Sequence, residues 1–299
     1  MSEYQYYELQ AIDRPLDRAA QDALRMISSR ARITATSFTN HYEFGDLKGD
    51  PGKLMERWFD LHLCLANWGS RRLMMRAPQR LLSLADLEPF LRAVDWVDTW
   101  TSGDDLIVDA QRDEVDSDGE WDDGSGWLAA LAPLRADALA GDLRLFHLLW
   151  LAAVEQDDVA DDELEPLPGV GPLTGALEAF AEFFDIDRNL VQAAAERSAS
   201  GAAPSGARLR EALAAIGEDE KTELLLRVAE GDGHVAAELR RRINAQGSTA
   251  PAPRRSVAAL RERAREIGQA RARAAVERKE AERRRLAEEA EKARRAHLD

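Results

Sequence analysis

The chain has 299 residues, 55 of them acidic and 40 basic, a formal net charge of −15 and a single cysteine. That length allows roughly two domains, and Cys64 alone excludes an internal disulfide or a cysteine-built zinc cluster. No apolar run reaches the ~20 residues that span a bilayer, and the opening MSEYQYYELQ lacks the basic and apolar regions of a secretory signal, so a soluble cytoplasmic protein with no membrane association is expected.

In chain order, residues 1–112 read as a mixed α/β domain. Glu3–Ile12 alternates like a strand, with Tyr7, Leu9 and Ala11 on one face. Asp13-Arg14-Pro15 is expected to open a helix, because proline suits a first turn where its missing N–H would go unpaired. Leu16, Ala20, Ala23, Leu24 and Ile27 form the apolar stripe of that helix. Arg32–Phe44 returns to extended structure, rich in β-branched and aromatic residues. Asp50-Pro51 combines a capping side chain with proline at the first helical position, and this helix is predicted to run to Asn67. Arg71–Arg76 is a short strand. Ser83 and Asp86 have the spacing of a capping box that opens a helix to Ala93. Trp96–Thr101 and Leu106–Ala110 make a hairpin across Ser102–Asp105. The order β-α-β-α-β-α-β-β predicts a small sheet covered by helices on one side.

An acidic linker loop follows at 113–126, and beyond it only helices are expected. Trp127–Ala140 is helical but split or kinked by Pro133. Gly141 stops it, and Asp142 caps a helix to Gln156. Leu173–Phe184 and Arg188–Ser198 complete a helical domain at 127–199, with Asp187 capping the second. Ala207–Ile216, Glu218–Glu230 and Val235–Ala245 form a helical subdomain within 200–246, Ser200–Ser205 being its linker. A second linker spans 247–255, and 256–299 is one long charged helix of about 60 Å if helical throughout. The fold class is therefore α+β. Leu260, Ala264, Ile267, Val276 and Leu286 keep a thin seam on the last helix, too lightly filled for a stable coiled coil. The chain ends in RRAHLD, still helical in character, so the helix is expected to continue or to dock on a partner.

Charge is segregated. Residues 101–200 hold 24 acids and 5 bases, whereas 254–299 hold 15 bases and 9 acids. An acidic body repels phosphates, which disfavours direct nucleic acid binding. Most of the negative charge falls in two clusters, Asp113–Asp123 and Asp157–Glu165. Setting Gly119 at the sixth position of a calcium loop places Glu114, Asp116 and Asp118 at the first, third and fifth. Ser125 then stands at the twelfth, where a bidentate Glu belongs, so a solvated loop is the expectation. Arg71, Arg72, Arg76 and Arg80 form a small basic group around the strand, for which ordinary surface charge balancing Asp and Glu is expected, with a grip on an acidic partner or on the chain's own acidic loop as the alternative. His41, His62, His147, His234 and His297 have no His four residues away and no cysteine nearby. His62 and His147 are expected on helices as packing residues, and Cys64 as an inert core thiol within the 51–67 helix. Gly169-Val170-Gly171-Pro172 follows no strand, so it is not a phosphate loop. No catalytic, cofactor-binding or metal-ligating residue is assigned.

The strings YQYYELQAIDRPL, ARITATSF, GDPGKLMERWFD and LANWGSRRLMMRAP, followed by GWLAALAPLRADALAGDLRLFHLLWLAA, resemble an uncharacterised bacterial family across residues 1–245. The resemblance implies an N-terminal YQYYE-x-x-AIDRPL motif, further helices past this chain's end, and genes neighbouring those of SWIM-type zinc-finger proteins. It transfers no active-site residue. The expectation is a non-enzymatic bacterial adaptor or scaffold that binds a protein partner, a SWIM-type zinc-finger protein among the candidates, through its C-terminal helix. The alternatives are a nucleic-acid-associated regulatory or defence component acting through such a partner or by acidic mimicry, and an enzyme with an unfamiliar site.

Overall fold

Seven strands in the N-terminal part hydrogen-bond into one antiparallel sheet in the order β2-β3-β1-β4-β5-β7-β6. They are β1 (Gln5–Gln10), β2 (Arg32–Ile33), β3 (Ser37–Tyr42), β4 (Leu61–Ala66), β5 (Arg71–Pro78), β6 (Val97–Ser102) and β7 (Asp105–Arg112). The structure, a computed structural model, describes residues 3–115, 121–198, 206–246 and 253–296. The Ser200–Ser205 linker, most of the 247–255 linker, His297, and Asp116, Asp118, Gly119 and Glu120 of the acidic loop lie outside the described residues.

Three expectations for this half are corrected. The first helix, α1 (Arg18–Ile27), starts later than Asp13, with the Asp17 carboxylate accepting the Ala20 N–H at 2.7 Å. Residues ahead of it are already engaged: the Leu16 N–H donates to Ala35 O at 2.7 Å, and the Asp13 N–H donates to the Asp60 carboxylate at 2.9 Å. The helix from Asp50, α2 (Pro51–Arg57), stops ten residues before Asn67, and Leu61–Ala66 is instead the central strand β4. Leu61, Leu63 and Leu65 alternate with His62 and Cys64, and all three leucines are buried on one face. Each buried leucine contributes roughly 1.5–3 kcal/mol, against helix-propensity differences of at most ~0.7 kcal/mol per residue. Sheet pairing therefore wins. Cys64 and His62 consequently sit on a strand.

The third correction concerns the layers, because helices cover both faces of the sheet. On one face Leu16, Ala20 and Leu24, from α1 and its approach, and Leu54 and Met55 of α2 pack on Tyr7, Leu9, Phe38, Met74 and Ile107. On the other, Leu63, Leu73, Met75, Leu106 and Val108 join a larger core with the helices that follow. The first of these is α3 (Leu84–Leu91), opened by the reciprocal Ser83–Asp86 capping box that the sequence predicts. Next come α4 (Trp127–Leu131) and α5 (Pro133–Leu139), separated at Pro133 as expected. Gly141 ends α5 in the left-handed region at φ +87°, a conformation that favours glycine. The following helix α6 (Arg144–Glu155) is buried on every side from Arg144 to Val154 and runs through the middle of the helical layer. Then α7 (Gly175–Phe183) and α8 (Arg188–Ala195) are capped by Thr174 and Asp187.

The last four helices are α9 (Gly206–Ala214), α10 (Glu218–Ala229), α11 (Val235–Gln246) and α12 (Val257–Ala296). Val257, Leu260, Ala264 and Ile267 of α12 belong to the same large core as the sheet leucines and α6. The fold is α+β: an antiparallel sheet, then helices, ending in one long helix.

Candidate functional site

The C-terminal helix has two halves with opposite surroundings. Its root is seated on the second acidic cluster. Residues 163–165 and 255–257 pair through their backbones, Glu165 N–H to Arg255 O at 2.8 Å and Val257 N–H to Glu163 O at 2.9 Å. The Glu165 side chain, fully buried, accepts from the Arg255 backbone N–H at 2.9 Å, from Nε at 3.0 Å and from Nη2 at 3.1 Å. Arg255 Nη1 donates to Ala193 O at 2.7 Å. Every polar atom of the pair is thus occupied, the condition under which a buried ion pair is tolerated.

Outward from this lock, Arg261 reaches Asp157 at 2.7 Å and Asp161 at 2.8 Å. Arg263 pairs with Glu196 at 2.6 Å, and Arg271 bonds Asn189 at 2.8 Å and also Gln192. Beneath these contacts Val257, Leu260, Ala264 and Ile267 are buried against the core. The proximal part of the predicted seam is therefore a packing face on the chain's own body.

Beyond Arg271 the surroundings change. Every described side chain from Ala272 to Glu289 is exposed or half-exposed, and Val276 and Leu286, the distal seam residues, are 56% and 53% exposed. The 25 residues from 272 to 296 form an arm of about 37 Å. Arg284–Glu280 at 3.9 Å and Arg285–Glu289 at 3.7 Å are i,i+4 pairs. Each supports an isolated helix by about 0.2–0.5 kcal/mol.

The remaining singled-out residues fall mainly into structural roles. Arg72 is bidentate to Asp109 at 2.9 and 2.6 Å, Arg76 meets Asp60 at 2.7 Å, and Arg80 reaches Asp232 and Glu238 at 3.1 Å each, so three of the four basic residues do balance carboxylates. Arg71 instead donates to Ala66 O at 3.2 Å and lies 5.8 Å from the Phe183 ring. Within the second acidic cluster Asp157, Asp161, Glu163 and Glu165 each face an arginine, Arg92 serving Glu163 at 2.7 Å. Of the first cluster, Asp122 accepts the Trp127 indole N–H at 2.7 Å and Asp123 O accepts the Tyr4 hydroxyl at 3.0 Å. Among the described residues, no three His, Cys, Asp or Glu side chains converge as a metal site would require. Gly171 lies so close to the end of α8 that a Cβ there would stand 2.1 Å from Ala195 O, so the Gly169–Pro172 segment packs on protein.

His62 and His147 are fully buried, and burial pushes both imidazoles down to about 3, so they stay neutral at physiological pH. Cys64 lines a hollow of about 240 Å³ on the sheet face, beside Tyr7 and Arg72. Burial pushes its thiol up to about 11, which keeps it protonated and unreactive near neutrality. His41 is exposed and stacks on Tyr4 at 6.1 Å.

Sequence reasoning missed a buried polar chain that ties the sheet to the helices. Asp60, with no exposure, accepts the Ile12 and Asp13 N–H groups at 2.6 and 2.9 Å and the Arg76 guanidinium. Arg135 binds Asp13 in a fork at 2.9 and 2.6 Å and donates to Arg76 O at 2.7 Å. His234 Nε2 lies 3.1 Å from the same Asp13 carboxylate. Burial raises the Asp13 carboxyl, but His234 and Arg135 outweigh it and hold the group well below the usual carboxylate range. Arg135, set among the leucines and alanines of LAALAPLRADALA with Asp137 as the one other charge there, was the available signal, since a charge at a core-facing helical position must have a partner.

Compared with known protein families, curated proteins and solved structures, the chain has no significant match. Among the described residues, no helix is long and apolar enough to cross a membrane.

Proposed function

We propose that the chain is a non-enzymatic adaptor in which the body anchors the root of α12 and the 272–296 arm recruits a protein partner. The observation that carries this reading is the contrast within one helix. The root is locked by a buried, fully bonded Glu165–Arg255 pair, whereas the described side chains of the arm, Ala272 to Glu289, lie exposed or half-exposed. A helix anchored at one end presents a long surface at a defined angle. Its alternating charges suit a protein surface. A membrane-surface helix would need a strongly apolar face, which this one lacks.

A SWIM-type zinc-finger protein is the partner suggested by the family resemblance. The acidic-mimicry alternative is weakened because four acids of the 157–165 cluster are already paired with the chain's own arginines. Co-expression with the candidate partner tests the proposal. The full chain is expected to co-purify it at fixed stoichiometry, and a chain ending at Arg271 is expected to lose it. Retention by the truncated chain, or no complex with either, contradicts the proposal.

A further inference from the structure

A cleft of about 570 Å³ opens between the turn that follows β5 and the α10–α11 pair. Arg80, from the turn between β5 and α3, Arg227 of α10, and Arg241 and Arg242 of α11 line it, and among the described residues its acidic lining is Asp232 and Glu238. Its size falls within the usual range for a small-molecule site, roughly 300–1,000 Å³.

Both lining carboxylates are heavily used. Glu238 accepts from Arg80 at 3.1 Å, Arg227 at 2.9 Å and Arg242 at 2.7 Å. Asp232 accepts from Arg80 at 3.1 Å, from Arg227 at 2.7 Å and from the His234 backbone N–H at 2.9 Å. Asp86 and Glu220 pair with Arg241 and Arg242 from outside the lining. Each guanidinium carries five N–H donors. Arg227 Nη1 and the Nε–H groups of Arg80 and Arg242 have no protein acceptor among the described residues. Donors therefore remain from three separate elements around one cavity whose lining carries four positive and two negative charges.

We infer that this cleft binds a small phosphorylated molecule, through a diphosphate-like group seated among Arg80, Arg227 and Arg242. Planar guanidinium forks match phosphoryl oxygens in pairs. An extended polyanion such as nucleic acid would also meet the acidic surface of a chain carrying −15 overall. A compact anion meets only the cleft. This site is separate from the α12 arm and does not depend on the adaptor role.

Titration calorimetry of the full chain with inorganic pyrophosphate, at constant ionic strength and with chloride as the control, tests the inference. One saturable site per chain is expected. Arg80→Gln and Arg242→Gln, both at partly exposed positions and checked for folding by circular dichroism, should each weaken it on the order of tenfold or more. Glu238→Gln should tighten it, because it removes a competing carboxylate from three guanidinium groups. A purely structural clamp predicts no such gain. Absence of saturable binding, binding unchanged in both arginine variants, or no tightening in a folded Glu238→Gln chain overturns the inference.

Discussion

The root and the arm of α12 are parts of one continuous, arginine-rich helix, yet they differ in what holds them. The root spends its arginines on the body: Arg255 on Glu165, Arg261 on Asp157 and Asp161, and Arg263 on Glu196. In the arm, Arg284 and Arg285 instead face Glu280 and Glu289 of the same helix, one turn away. The difference teaches that charge count alone says little about a charged helix. What matters is whether an apolar contact accompanies the pair. Val257, Leu260, Ala264 and Ile267 supply that contact in the root, and the distal seam residues Val276 and Leu286 remain in solvent.

Substitutions should separate the two halves by magnitude. Glu165→Ala leaves Arg255 buried without its partner and is expected to cost about 3–5 kcal/mol in urea unfolding, as for other broken buried pairs. A loss below 1 kcal/mol would place the root among weak surface contacts. Leu260→Ala, at a position with no exposure, should cost about 2–5 kcal/mol through lost burial and a residual cavity. The same measurement reads it.

Acid should act through the core, leaving the arm aside. In the unfolded chain His62 and His147 take up protons below the ordinary value of 6.5, whereas the folded forms do so only near 3. The unfolded state therefore binds more protons between those values, and stability falls as pH drops from 6.5 toward 3. The slope is about 1.4 kcal/mol per pH unit for each histidine. Replacing His147 by Leu should remove roughly one histidine's share of that slope between pH 6 and pH 5, and an unchanged slope would contradict the neutral buried assignment. The smallest effect belongs to the arm: Arg285→Ala should change stability by less than about 0.5 kcal/mol.

Much of the fold could be read from local signals. The β6–β7 hairpin, the Ser83–Asp86 capping box, the Asp50-Pro51 start and the break at Pro133 all depend on residues within a few positions of each other. Strand β4 could not be read this way, because Leu54, Trp58, Leu61 and Leu65 fit a helical stripe while Leu61, Leu63 and Leu65 fit a strand. Pairing with β1 and β5 decided between them. The root was hidden for a related reason. Leu260, Ala264 and Ile267 have a spacing that serves either a second helix or the chain's own core. The choice rests on Glu165, 90 residues from Arg255. Both opposite charge clusters were plain in the sequence. Their pairing was not, and neither was the convergence of Arg80 with Arg227 and Arg242.

Amide hydrogen exchange along α12, followed by mass spectrometry on the full chain without a partner, tests the two-part helix most directly. The account predicts slow exchange for residues 257–271, approaching that of α6, and fast exchange through 276–296. Uniform protection along the whole helix would show that the arm is packed, and uniform fast exchange would show that the root is not anchored. Either result would contradict the division on which the adaptor reading stands.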